Sequence, residues 1–191
     1  MSTTDLFVEL IVIGTGGFIC LMLLVFTLFG YDWMPWHQMG APLILVFTLA
    51  VIYVIGIIQD RFVDHFFQRW DEPLRAKLFP SIADYYEARR YVYSHGQAMI
   101  LSLFEYRRSR MRICRGWVVN CLILAILAPI FALTRLPLSF GLREGIAIFC
   151  VILFGVGVRA TWVIWYRLVS TDYSRLADTY SFLKMETDQQ T

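Results

Sequence analysis

Four long apolar segments constrain this chain more than any other feature of its sequence. They cover residues 6–29, 43–58, 117–133 and 146–166. An α-helix needs roughly 20 apolar residues to cross about 30 Å of hydrocarbon, and each segment reaches or approaches that length. Because 58% of the residues are hydrophobic and only 17% are charged, one small water-soluble core would not bury them. The segments predict an all-α integral membrane protein with four transmembrane helices.

A few polar, glycine and proline residues interrupt these segments. Glu9 and the run Gly14-Thr15-Gly16-Gly17 lie in the first, Pro129 lies in the third and Arg159 lies in the fourth. Membrane helices tolerate a proline when neighbouring groups satisfy the freed carbonyl, so we expect a kink in the third helix. Small residues let membrane helices approach closely, so the glycines predict a packing contact.

The Lys and Arg residues are concentrated in one part of the chain. Eleven of the 17 lie between Arg61 and Arg115, and none precedes Arg61. Cytoplasmic segments that flank membrane helices carry an excess of Lys and Arg. We therefore predict that residues 59–116 and both termini are cytoplasmic, and that residues 30–42 and 134–145 form short outer loops. The expected location is a bacterial inner membrane.

The segment between membrane helices 2 and 3 has a helical pattern. Aromatic and aliphatic residues recur there at the three-to-four-residue spacing of one helix face. They are Phe62, Val63, Phe66, Phe67, Trp70 and Leu74. We therefore expect the second membrane helix to continue past the membrane. Asp71-Glu72-Pro73 predicts that this helix breaks and restarts.

Another helix is predicted to begin near Ser81. Ser81 followed by Asp84 is a weakened capping box, and apolar residues continue at helical spacing to Leu103, interrupted by Gly96. The two helices predict a cytoplasmic helical hairpin between membrane helices 2 and 3. Apolar residues at the same spacing in 167–191 predict a cytoplasmic C-terminal helix that packs against this hairpin.

Five arginines stand directly before the third apolar segment. They are Arg107, Arg108, Arg110, Arg112 and Arg115. One interpretation is that they fix the topology and contact anionic lipid headgroups. In another, Arg108, Arg112 and Arg115 share a helix face that receives an acidic protein, a nucleotide or a nucleic acid. A formal net charge of only +2 disfavours nucleic acid as a partner.

Three polar residues fall at a similar depth in three of the predicted spans. Glu9 lies in the first span, Asn120 in the third and Arg159 in the fourth. Charged groups inside a membrane usually face a polar interior or a partner of opposite charge. One interpretation is a buried polar layer in which Glu9 pairs with Arg159 and Asn120 completes the hydrogen bonds. In the other, Arg159 extends its side chain to the lipid headgroups.

The sequence holds no arrangement typical of a catalytic or metal site. Its four cysteines and three histidines lie in separate segments without a CxxC motif, so we predict no metal and no cofactor. Arg90 and His95 have the R-x4-H spacing that resembles the catalytic motif of HEPN ribonucleases, but no second feature of that family accompanies it. The sequence predicts a protein that is not an enzyme.

Two functional hypotheses follow. In the first, the chain is a non-catalytic inner-membrane component that docks a cytoplasmic protein partner through its basic, aromatic-rich hairpin, contacts anionic lipids and forms a homo-oligomer. In the second, it is a homo-oligomeric ion channel or membrane-permeabilising effector, for example of a bacterial defence system. A channel usually shows a polar stripe along one span, whereas these spans hold isolated polar residues, so the sequence favours docking.

Overall fold

The structure, a computed structural model, describes residues 3–34 and 42–190 of the chain. Within these ranges every regular element is an α-helix. The helices are α1 (Thr3–Phe29), α2 (Pro42–Ala76), α3 (Ile82–His95), α4 (Ala98–Arg135) and α5 (Phe140–Gln190). Of these, α1, α2, α4 and α5 are long and apolar enough to cross a membrane, which confirms the class of all-helical, multi-pass membrane protein. Most of the predicted loop 30–42 lies outside the described residues.

Three of these helices are longer than a membrane is thick. They contain 35, 38 and 51 residues in α2, α4 and α5, and at 1.5 Å per residue α5 extends about 75 Å against about 30 Å of hydrocarbon. Their less apolar halves continue without a break beyond the apolar segments. Together with α3, these halves form a second packed region, which we call the extramembrane bundle: residues 59–76, 82–95, 98–116 and 167–190.

Aromatic and aliphatic side chains fill the centre of the extramembrane bundle. Phe67 of α2 packs edge-to-face on Trp165 of α5, with ring centroids 4.8 Å apart, and both side chains are buried. The buried face of α2 runs through Val63, Phe67 and Leu74, whereas Phe62 is exposed. The predicted helical spacing is therefore confirmed, and the face of α2 that carries Val63 and Phe67 is the one that packs into the core.

The helix boundaries in this region differ partly from the sequence prediction. The predicted break near residue 72 is wrong, because Pro73 lies inside α2, where Phe67 and Leu74 anchor the helix in one core on both sides of it. The capping box is confirmed: the Ser81 side chain accepts from the backbone N–H of Ala83, and Asp84 accepts from the N–H of Ser81.

The membrane-spanning helices meet through glycines. α1 packs against α2 and α4, and α4 packs against α5. A Cβ atom on Gly14 would collide with the backbone carbonyl of Ile52, and one on Gly56 would collide with that of Leu10. The backbones of α1 and α2 are thus too close for any side chain between them, which confirms the packing role expected of Gly14.

Candidate functional site

The five arginines of α4 lie in two environments. Arg112 belongs to the first, where α4 contacts α1 and α2. Its Nη2 and Nε atoms donate to the two carboxylate oxygens of Asp60 at 2.7 and 3.1 Å. Its Nη1 atom lies 3.4 Å from Oε2 of Glu9. Arg112 therefore joins α4 to both α1 and α2, through a bidentate contact of the kind that makes arginine–carboxylate pairs strong.

Arg115 forms a second ion pair one turn further along α4. Its Nη1 atom is 2.6 Å from Oδ1 of Asp64, and Asp64 follows Asp60 by one turn of α2. The acidic partner of the face that carries Arg112 and Arg115 is therefore α2 of the same chain. Both guanidinium groups are paired with carboxylates of the same chain, so an external acidic partner at this face would have to compete with Asp60 and Asp64.

A polar layer lies deeper, between α1, α2 and α4, and Asn120 is at its centre. Asn120 is fully buried, and its Nδ2 atom donates to the Ile13 carbonyl at 3.1 Å. Its Oδ1 atom accepts from Nε2 of Gln59 at 2.6 Å. Sequence analysis missed Gln59, although it is the first polar side chain after the second apolar segment. The layer connects three helices in the protein interior, although the Oε1 atom of Gln59 is buried without a hydrogen-bond partner among the described residues.

Arg159 lies outside this layer, so the predicted pairing of Glu9 with Arg159 is wrong. The Arg159 side chain is exposed on α5, and Glu9 is buried beside Arg112. The reason is helical geometry. Gly157 faces Cys121 of α4, and two further residues rotate the chain by about 200°, which directs Arg159 away from α4.

The second environment of the α4 arginines is a groove between α4 and α5 in the extramembrane bundle. We call it the α4/α5 groove. It has a volume of about 190 Å³ and is lined by Ile100, Leu103, Phe104 and Arg107 of α4 and by Arg175 and Asp178 of α5. The floor is apolar, and the two arginines bring like charges together. Burial lowers the pKa of the Arg107 guanidinium, and the positive charge of Arg175 lowers it further.

The two helices that form this groove also expose large apolar side chains. Met99 of α4 is 74% exposed and Phe182 of α5 is 65% exposed. Tyr106 of α4 is also exposed, and Arg110 lies over its ring at 4.9 Å. Exposed apolar side chains of this size mark an interaction site where they form a contiguous surface.

The other candidate residues from the sequence occupy α3 or scattered positions. Arg90 is exposed, whereas His95 stacks on Tyr91 with ring centroids 4.4 Å apart and places Nδ1 2.8 Å from the Ser94 hydroxyl. In the part of the chain that the structure describes, no group of three or more His, Cys, Asp or Glu residues is placed to hold a metal ion. Arg108, the remaining member of the cluster, is exposed.

Comparison with protein-family models, with curated proteins and with solved structures finds no match to this chain.

Proposed function

We propose that this chain is a non-catalytic component of a bacterial inner membrane that docks a cytoplasmic protein partner on its extramembrane bundle. The docking site is the α4/α5 groove, and its occupant is an amphipathic helix that carries acidic residues. The observation that supports this most is an apolar groove outside the membrane with the guanidinium groups of Arg107 and Arg175 at its edge.

The charge distribution supports a cytoplasmic position for the bundle. The segment between Arg61 and Arg115 carries 11 of the 17 basic residues, and such segments stay on the cytoplasmic side. Both termini then lie in the cytoplasm. Anionic lipid contact by Arg108 and Arg110, and formation of a homo-oligomer, stay predictions.

The shape and chemistry of the groove define the class of partner. Amphipathic helices bind by placing an apolar face into a hydrophobic groove between helices. Ile100, Leu103 and Phe104 supply apolar contact in the groove, and Met99 and Phe182 are exposed on the same two helices. The positive charges of Arg107 and Arg175 oppose each other, and Asp172 and Asp178 of the same chain offset part of that repulsion. Carboxylates on the partner add to this compensation and so favour an acidic partner at the groove.

The alternative is a homo-oligomeric channel or membrane-permeabilising effector. Several polar groups at the boundary between the membrane-spanning part and the extramembrane bundle are engaged with one another, since Asn120 bonds to Gln59 and Ile13, and Arg112 bonds to Asp60. Such paired groups connect helices rather than line a path for ions. Docking is therefore the function that the geometry favours.

One experiment separates the two functions. The full chain in nanodiscs of zwitterionic lipid is titrated with a fluorescent amphipathic helical peptide of about 18 residues built from Leu, Ala and Glu, long enough to form a helix. We expect saturable binding that Leu103→Asp abolishes, while exposed Ile126→Asn in the membrane-spanning part of α4 leaves it intact. Depolarisation of cells on expression, with no peptide binding by the purified chain, would favour the channel.

A further inference from the structure

One face of α5 has no helix packed against it, from the first turn of the helix to a point well inside the fourth apolar segment. Five residues point within about 40° of the direction of Arg159 around the helix axis, at about 100° per residue. They are Gly141, Gly145, Ile148, Ile152 and Gly155. All five, and Arg159 itself, are exposed. We call these six residues the open α5 face.

The glycines of the open α5 face differ from the other glycines of the membrane-spanning helices. A Cβ atom on Gly141, Gly145 or Gly155 would meet nothing within 4 Å. At the other positions a Cβ atom would meet a neighbouring helix at 3.0 Å or less: Gly14, Gly16, Gly17, Gly56, Gly116 and Gly157. Glycine makes a helix less stable than alanine does, and small residues let two membrane helices approach closely. The space beside the open α5 face therefore suits a helix that the described part of the chain does not supply.

Arg159 gives this face an unpaired positive charge inside the membrane. Its side chain makes no hydrogen bond or ion pair with any of the described residues. Its Cα atom is about 10 Å from the nearer end of the apolar segment, at Tyr166. Side chains of an α-helix lean towards its N-terminus, and for Arg159 that is the more distant end of the segment. This direction takes the guanidinium group towards the middle of the membrane rather than to the nearer lipid headgroups.

A carboxylate at the same depth is the group that compensates this charge. Charged side chains inside a membrane pair with one another, and a guanidinium group binds a carboxylate through two parallel hydrogen bonds. A second copy of this chain does not supply that carboxylate. Glu9 is the one acidic residue of the four apolar segments, and it is buried beside Arg112. The charge therefore points to a different membrane protein.

We propose that the open α5 face binds a transmembrane helix of a second membrane protein, and that this helix carries an Asp or Glu near the middle of the membrane. The carboxylate accepts hydrogen bonds from Arg159. The glycines let the two backbones approach, as Gly14 and Gly56 do for α1 and α2. This contact lies within the membrane, so it goes beyond docking at the α4/α5 groove and does not depend on it.

Resonance energy transfer between the labelled full chain and a labelled synthetic helix tests this in vesicles of zwitterionic lipid. The helix has about 21 residues of Leu and Ala between Lys flanks, long enough to cross the membrane. It carries Glu at its central position, and its counterpart carries Gln there. Because the Glu is central, both orientations of the helix present it at the same depth. We expect the original chain to bind the Glu helix at least about tenfold more tightly than the Gln helix.

Two substitutions separate the charge from the close approach of the helices. Arg159→Gln is expected to remove the preference for the Glu helix, while Gly155→Ile weakens binding of both helices about tenfold and keeps the preference. Ala160→Ile, at an exposed position of α5 about 100° around the axis from Arg159, is the matched control and leaves both affinities unchanged. Equal affinity of the folded original chain for the two helices, or binding of neither, would overturn the proposal and would indicate that Arg159 contacts lipid headgroups. A preference that survives Arg159→Gln would overturn it as well.

Discussion

The side-chain nitrogen of Gln59 donates a hydrogen bond of 2.6 Å to the side-chain oxygen of Asn120 and so connects α2 to α4. Asn120 also donates to the Ile13 carbonyl of α1. Replacing Asn120 by Ala removes both contacts, and Nε2 of Gln59 keeps only its longer hydrogen bond of 3.3 Å to the Gly116 carbonyl. We expect the free energy of unfolding to fall by about 2 kcal/mol, since hydrogen bonds between membrane helices contribute about 0.6–2 kcal/mol each.

A double-mutant cycle in a detergent unfolding titration measures this contact directly. Asn120→Ala, Gln59→Ala and the double variant should show a coupling energy of about 1 kcal/mol. Exposed Ile126→Ala on the same helix is the control, with an expected change below about 0.5 kcal/mol. Strict additivity of Asn120→Ala and Gln59→Ala would mean that the two amides do not interact.

Arg112 should matter to stability far more than Arg159 does. Removing Arg112 leaves Glu9 and Asp60 as unpaired carboxylates in a largely buried place, and breaking such a pair costs about 3–5 kcal/mol. Arg159 is exposed on α5, so Arg159→Gln should change the unfolding free energy by less than about 0.5 kcal/mol. Thermal melts of Arg112→Gln and Arg159→Gln in the same detergent compare the two; the reverse order of stabilities would refute the pairing described here.

Gly14 and Gly155 form a matched pair of glycines for testing helix contact. A Cβ on Gly14 collides with the backbone of α2, whereas Gly155 has open space within 4 Å. Gly14→Ala should therefore destabilise the protein by several kcal/mol, and Gly155→Ala should be neutral or stabilising by up to about 1 kcal/mol from helix propensity alone. Unfolding titrations check both; equal effects would mean that α1 and α2 are not in backbone contact.

Asp172 predicts a dependence of stability on pH. Burial raises the pKa of its carboxyl from 3.8 to about 6. Between these two values the folded chain binds more protons than the unfolded chain, so this group makes the protein more stable as the pH falls from 7 to about 4. Above pH 6 the ionised carboxylate costs the folded state at most about 3 kcal/mol, a figure that water reduces because the side chain is partly exposed.

The variant Asp172→Asn isolates this effect. It should be more stable than the original chain at pH 7, and the difference should shrink as the pH falls towards 4, where the carboxyl is protonated in the folded state. Melting temperatures of the two proteins from pH 4 to pH 7.5 give the difference curve. A flat difference across this range would contradict the buried position of Asp172.

The sequence predicted local features better than it predicted which side chains meet. The four apolar segments and the capping box at Ser81 are each determined by residues that are close in sequence, and the structure confirms both. The pairing of Glu9 was wrong because it depends on the rotation of α5 about its own axis. Gly157, which faces Cys121 of α4, and the exposed Arg159 are two positions apart, and depth in the membrane carries no information about that rotation.

The arginine cluster shows the same limit at the candidate site. The sequence showed that the arginines stand before the third membrane helix. It did not show that they divide between ion pairs with α2 and the α4/α5 groove. Arg112 and Arg115 are three residues apart and Asp60 and Asp64 are four apart, so the members of each pair lie about one helical turn apart. This correspondence brings the charges together only because α2 continues unbroken beside α4. The sequence did not predict the α4/α5 groove either, because Arg107 and Arg175, which both line it, are distant in sequence.

The central claim is that the α4/α5 groove binds an acidic amphipathic helix, and reversing the groove's charge tests it most directly. Fluorescence anisotropy compares the Glu-containing peptide with its Lys-containing counterpart. The original chain should prefer the Glu peptide by at least about tenfold, and Arg107→Glu with Arg175→Glu should prefer the Lys peptide. The exposed pair Arg69→Glu and Arg90→Glu, which changes net charge equally, should keep the original preference. An unchanged preference for the Glu peptide in the groove variant, or binding of neither peptide by the folded original chain, would contradict the claim.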